Sequence, residues 1–219
     1  MSDSLLDILL PRGDAGPERV YGIVIGIVTN NNDPDELGRV KVRFPWLSDS
    51  DESWWARIAT PMAGNGRGMQ FLPEVDDEVL VAFQHGDVRF PYVLGALWNG
   101  QDAPPESKPL DGDGKVAKRV IRSRSGHVIR LDDTDGGEKI EIVDKSEKNS
   151  IVIDAGKNTI TIQADADIVL RSSQGKVAIE GQSIELTATA KDLKIQSSGN
   201  LDLQASGQSN LKGSVVNIN

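Results

Sequence analysis

The feature that most restricts the fold of this 219-residue chain is a series of aliphatic pairs, each written apolar-x-apolar, running to the carboxyl end. They are Ile129/Leu131, Ile140/Ile142, Ile151/Ile153, Ile160/Ile162, Ile168/Leu170, Val177/Ile179, Ile184/Leu186, Leu193/Ile195, Leu201/Leu203, Ser209/Leu211 and Val216/Ile218. The first steps are 11, 11 and 9 residues; from Ile160 to Val216 seven steps take 56 residues, an average of eight. Alternation with period two puts both members of a pair on one face of a short strand. A fixed period marks a repeat architecture.

The composition of the inward positions limits which repeat it is. A hexapeptide helix needs a six-residue period, which this is not. A single-chain solenoid built from three steps per coil would need larger core residues and a cap. Here every inward position is Ile, Leu or Val except Ser209, so the interior is thin. One octad cannot exclude water alone, whereas three chains wound about one axis can, each supplying a wall of a triangular prism. Burying each side chain then contributes roughly 1.5–3 kcal/mol. The expectation is an intertwined trimeric β-helix with a core of Ile151, Ile153, Ile160, Ile162, Ile168, Leu170, Val177, Ile179, Ile184, Leu186, Leu193, Ile195, Leu201, Leu203 and Leu211. Outward residues such as Lys194, Gln196, Asp202 and Gln204 stay wet. Closure of this kind removes free strand edges. At ~4.8 Å per tier the eleven tiers span on the order of 50 Å.

The first half uses another alphabet. All ten aromatic residues lie between Tyr21 and Trp98 and all ten prolines between Pro11 and Pro109. Five strand-like runs, at 20–29, 38–44, 54–61, 78–83 and 92–98, are separated by Asn, Asp, Gly and Ser. Five short strands without a helical pattern predict an all-β domain, a closed five-stranded OB-type barrel. Trp46, Trp54, Trp55, Phe83, Tyr92 and Trp98 can supply its core, with single exposed aromatics among them also expected. The division predicted is a docking segment at 1–19, the barrel at 20–99, a linker at 100–120 and the spike at 121–219.

Several function classes fall away. Without cysteine there is no disulfide or thiolate metal site. The acidic lead MSDSLLDILLPRGD argues against a signal peptide, and no apolar run reaches membrane-spanning length. A net charge of -9 disfavours nucleic acid as partner, although Arg39, Lys41 and Arg43 alternate on one strand near Trp46, the pattern of an OB-fold nucleic-acid binder. His85 and His127 lie in different domains, each read as a turn residue. The calcium-loop pattern fails around Asp132, Asp133, Asp135 and Gly136, because Leu131 and Ile142 stand where ligands belong. GNGRG at 64–68 lacks the Lys-Ser/Thr of a phosphate loop. A solenoid enzyme acting on polysaccharide would need paired carboxylates outside, and the outward series Arg130, Glu141, Val152, Thr161, Val169, Ala178, Glu185, Lys194 and Asp202 has none. No catalytic residue, cofactor or metal is predicted.

Three segments carry a resemblance: GRVKVRFPW (38–46), WWARIATPMAGNGRGMQFLPEVDDEVLVAFQHGDVRFPYVLGALWNG (54–100) and RSRSGHVIRLDDTDGGEKIEI (122–142). In this order they closely resemble the Vgr and phage baseplate assembly protein V families, central spikes of contractile tails, type VI secretion systems and extracellular injection systems. The resemblance implies an OB barrel followed by a trimeric β-helix. It also implies a non-enzymatic needle, assembled in the bacterial cytoplasm within a baseplate and driven to or through a target envelope. The implied partners are two further copies, a hub protein at the barrel end, a PAAR-type tip at the carboxyl end through Val216 and Ile218, and tube and baseplate proteins indirectly. Long Vgr proteins carry a hub before the barrel; here about 20 residues precede it, the pattern of a stand-alone spike. The linker is too short for the lysozyme domain some phage spikes insert. The histidine-bearing apex of some short spikes has no counterpart near the carboxyl end, where the chain reads VVNIN.

Overall fold

The computed structural model describes residues 19–48 and 50–217, in two compact units divided between Ala166 and Asp167. Among the described residues the only helical element is a 3₁₀ turn at Gln84–Gly86.

The strands of the first sheet follow the alternation of its sequence. They are β1 (Val24–Asn30), β2 (Lys41–Arg43), β3 (Arg57–Ile58), β6 (Glu78–Phe83) and β7 (Pro91–Ala96), with a two-stranded ribbon, β4 (Ala63–Gly64) and β5 (Arg67–Gly68), inserted after β3. The order is β2-β1-β6-β7-β3, antiparallel throughout except for the parallel β3–β7 pair. The segment before β3 returns to β2. Val40 and Ala56 exchange backbone bonds of 3.0 and 2.7 Å, and the Ser53 amide donates to the Val42 carbonyl at 2.8 Å. Residues 52–58 thus join both edges and curl the sheet into a barrel with OB connectivity.

Valine fills this barrel. Val28, Val40, Val42, Val79, Val81 and Val93 are fully buried, with Ala56, Phe44 and Phe83 beside them. The expected aromatic core is corrected here: of those six residues only Phe83 is buried, while Trp46, Trp54 and Trp98 are exposed and Trp55 and Tyr92 half-buried. The reason is space. The valines with Phe44 and Phe83 already fill the interior, and even a Cβ on Gly26 would sit 3.3 Å from Val81 and 3.4 Å from Phe44, so no gap is left there for an indole ring.

The β1–β2 loop is organised by Asp33, which is nearly buried. It accepts from the amides of Asp35, Leu37 and Arg39 and from Arg39 Nε and Nη2 at 2.8 and 2.7 Å. The Arg39 guanidinium above all, with these amides, holds the Asp33 carboxyl well below the usual carboxylate range. Glu36 and Gly38, both at positive φ, let the loop wrap around that carboxylate.

A second sheet follows, with strands β8 (Lys118–Arg122), β9 (Val128–Asp132), β10 (Lys139–Val143), β11 (Ser150–Asp154) and β12 (Thr159–Gln163). β8 begins inside the span read as a linker. All four pairings are antiparallel between sequence neighbours, a meander within one chain. The sequence reading took the first four aliphatic pairs as tiers of the wound repeat; they are hairpin strands instead. Their longer spacing leaves room for reversing turns. Gly136, Glu147 and Asn158, 11 residues apart, take the left-handed conformation that a tight reversal requires. Each turn is tied by an aspartate at its start. Asp132 accepts from the Thr134 amide, Asp144 from the Asn149 amide and Asp154 from the Lys157 amide.

The second unit is described as far as Asn217, and residues 167–217 contain no strand and are exposed throughout. The predicted docking segment, apart from Arg19, lies outside the described residues, as does Ile218 of the predicted tip surface.

Candidate functional site

The register of the meander brings the aliphatic residues into two columns on one face. Ile121, Ile129, Ile142, Ile151 and Ile162 stand opposite one another in succession, and beside them Leu131, Ile140, Ile153 and Ile160. Arg119 ends the second column at the β8 edge, ion-paired to Asp133. Cross-strand aliphatic neighbours of this kind reinforce pairing. Yet these nine side chains remain 41–70% exposed. An open apolar trough of about 490 Å³ runs along the first column. An uncovered grid of this size is an interaction surface by its chemistry.

The opposite face mixes charged residues with Val120, Val128, Val143 and Val152 and is better shielded. Lys118, Asp132, Lys139 and Asp154 succeed one another across four strands with alternating charge. In the next row Arg130 faces Glu141, with Arg130 Nη1 2.9 Å and Lys139 Nζ 3.0 Å from its two carboxylate oxygens. Burial pushes Glu141 upward, but its bonds to Arg130 and Lys139 prevail and hold it below the usual range. This charge ladder fixes which face is which: a one-residue slip would bring aliphatic residues among the charges. Sequence reading found the aliphatic columns and missed the ladder, whose signal is charges of opposite sign recurring at the hairpin spacing.

Of the predicted core, Ile151, Ile153, Ile160 and Ile162 are brought together by strand pairing. The eleven others, Ile168 through Leu211, have no strand partner within the described chain, and Val216 is likewise exposed.

The histidines have local roles. The His127 amide donates to Ser123 Oγ at 3.0 Å, and its Nδ1 accepts from the Lys145 amide at 3.2 Å, tying the β8–β9 turn to the β10–β11 turn. His85 occupies a positive-φ position in the 3₁₀ turn, where its carbonyl accepts from Arg19. On the basic strand, Arg39 and Lys41 lie 5.9 and 5.5 Å from the Trp55 ring, but Arg39 is paired with Asp33 and Asp35 and Lys41 with Glu52. Their charge is committed internally, which leaves less of it for a phosphate backbone. Arg130 and Glu141 are likewise paired. Among the described residues no cluster of metal-binding side chains occurs.

The barrel carries a second apolar surface. The excursion between β3 and β6 exposes Met62, Met69, Phe71 and Leu72, which with Leu37 and Leu94 border an open groove of about 950 Å³.

Residues 24–98 match the family described as the Type VI secretion system/phage-baseplate injector OB domain. The chain is 30% identical over 137 residues to the Type VI secretion system spike protein VgrG1a of Pseudomonas aeruginosa, covering 58% of this chain and 21% of that protein. It is 35% identical over 113 residues to VgrG4b of the same organism, covering 48% and 14%, and 33% identical over 111 residues to VgrG3 of Vibrio cholerae, covering 48% and 11%. The chain thus spans about a fifth or less of the length of these relatives.

Proposed function

We propose that this chain, whose residues 24–98 belong to the injector OB-domain family, is the structural central spike of a contractile injection machine. It acts as a homotrimer without catalytic activity. The observation that carries this reading is the uncovered aliphatic grid downstream of the barrel, continued by octads with no partner in their own chain. Two further copies supply what both lack: a cover for the apolar face and hydrogen-bond partners for the octad strands. On this reading residues 167–219 wind into the triangular prism, and the trimer core includes Ile168 through Leu211. Force enters at the barrel and passes down the rod as the needle is driven through a target envelope.

The remaining partners belong to the same proposal. A hub protein seats on the barrel, where the groove bordered by Met62, Met69 and Phe71 sets exposed apolar side chains beside Glu36, Arg67 and Gln70. A conical tip of the PAAR type covers the last tier at Val216 and Ile218. Assembly takes place in the bacterial cytoplasm before firing. Sedimentation equilibrium of the purified chain tests the core of the reading. A mass three times that of the 23.6 kDa chain is expected, and a monomer at micromolar concentration refutes it.

A further inference from the structure

The aliphatic pairs fall into two classes that the sequence writes identically. Those up to Ile162 sit on strands whose backbone partners lie in the same chain; those from Ile168 onward have no in-chain strand partner among the described residues. We infer that the β8–β12 meander is the element that joins the three copies, folding in each chain before association and presenting its two-column grid to the same grid of its neighbours. The octads then order from the meander toward the carboxyl end. This inference rests on the trimeric reading above and adds which surface drives it and in what sequence.

Three observations carry it. The meander closes through short turns held by Asp132, Asp144 and Asp154, so its strands pair at little loop-closure cost without a second chain. On its opposite face Glu141 is bonded by Arg130 and Lys139, and Asp154 by Lys157, whereas the two aliphatic columns have no cover among the described residues. With nine aliphatic side chains around half exposed, that face offers on the order of 700–900 Å² per chain, the area a standard interface buries on each partner. An octad has none of this: one pair of side chains per strand, and no backbone partner until another chain arrives.

Two full-length variants test the inference against the wild type. Ile142→Asp/Ile151→Asp alters the meander grid, and Leu201→Asp/Leu203→Asp alters one octad. Sedimentation gives the association state, and hydrogen exchange gives backbone protection along residues 167–217. All four tryptophans lie between Trp46 and Trp98, so their fluorescence reports whether the barrel stays folded. The octad variant is expected to remain trimeric, with protection lost around residues 201–203. The meander variant is expected to be monomeric with a folded barrel and no protection beyond Ala166. The milder Ile142→Ala/Ile151→Ala pair guards against simple misfolding: it should weaken association at least 100-fold while strand circular dichroism persists. A trimeric meander variant, or a monomeric octad variant, overturns the inference and leaves the spike reading standing. A monomeric wild type overturns both.

Discussion

Truncation of a single grid residue separates an uncovered face from a shared one. Ile142 lies at the centre of the meander between Ile129 and Ile151 and is 48% exposed in the single chain. Replacing a fully buried isoleucine by alanine costs about 2–5 kcal/mol, so a half-covered one costs about half of that. If two neighbouring copies complete the cover, Ile142→Ala loses the other half on association, about 1–2.5 kcal/mol per chain. Three chains together then weaken trimer formation by about 3–7 kcal/mol, or two to five powers of ten in the dissociation constant. Sedimentation equilibrium across a hundredfold concentration series reads this directly. Val152→Ala, on the opposite face of the neighbouring strand, serves as control and should leave association within about threefold. An Ile142→Ala trimer as tight as the wild type would refute the reasoning, because no remaining surface of Ile142 would then be buried by assembly.

Other outcomes follow from single residues. Val81→Ala removes two methyl groups from a fully buried position and should destabilise the barrel by about 2–3 kcal/mol, read by denaturant titration of tryptophan fluorescence. Asp33→Asn should loosen the β1–β2 loop, increasing amide exchange at Leu37 and Arg39, whose N–H groups donate to the carboxylate. The Asp144 carboxyl is held at about 2, chiefly by the Ser146 hydroxyl. Its contribution is therefore complete above the unfolded value near 4 and lost as the pH falls through about 2, a loss that Asp144→Asn should remove from the acid-unfolding curve. Glu147→Gly should stabilise the β10–β11 turn by about 1 kcal/mol in the same denaturant titration, since Glu147 is held at φ 61, and Gly136, already glycine in the preceding turn, marks the comparison.

The five barrel strands were legible because valine-rich alternation between turn clusters, as in EVLVAF, has one structural meaning. The barrel's filling was not: composition reveals that tryptophan is present, but not that valines with Phe44 and Phe83 occupy the interior and leave Trp46, Trp54 and Trp98 exposed. In the second half, alternation identified the apolar face correctly from Ile129 to Ile162. It did not identify direction, because period two is the same whether a strand pairs with its own chain or another and whichever way it runs. The evidence for reversal lay in the gaps. Spacings of eleven, eleven and nine residues leave room for a turn with a left-handed residue, and Gly136, Glu147 and Asn158 occupy those places, Glu147 in a residue type that gave little warning. The Asp33 hub was invisible for a related reason: DPDELGR reads as an ordinary acidic loop until its carboxylate is seen to gather three amides and a guanidinium.

Five is an odd number of strands, so β12 leaves the meander travelling in the direction in which β8 entered it. Any change in its length is therefore subject to parity. Deleting one strand with its turn, such as residues 133–143, would send all following chain back the way it came; deleting two such units would restore the heading. It would also move each surviving charge row against a new neighbour, so the spliced strands would have to agree in sign as well as in direction. On the proposed winding of residues 167–219, octads obey no such rule, since each advances the chain without reversing it and can be added or removed singly. Lengthening or shortening a rod of this kind is thus free in steps of one repeat beyond Ala166, and restricted to even steps before it.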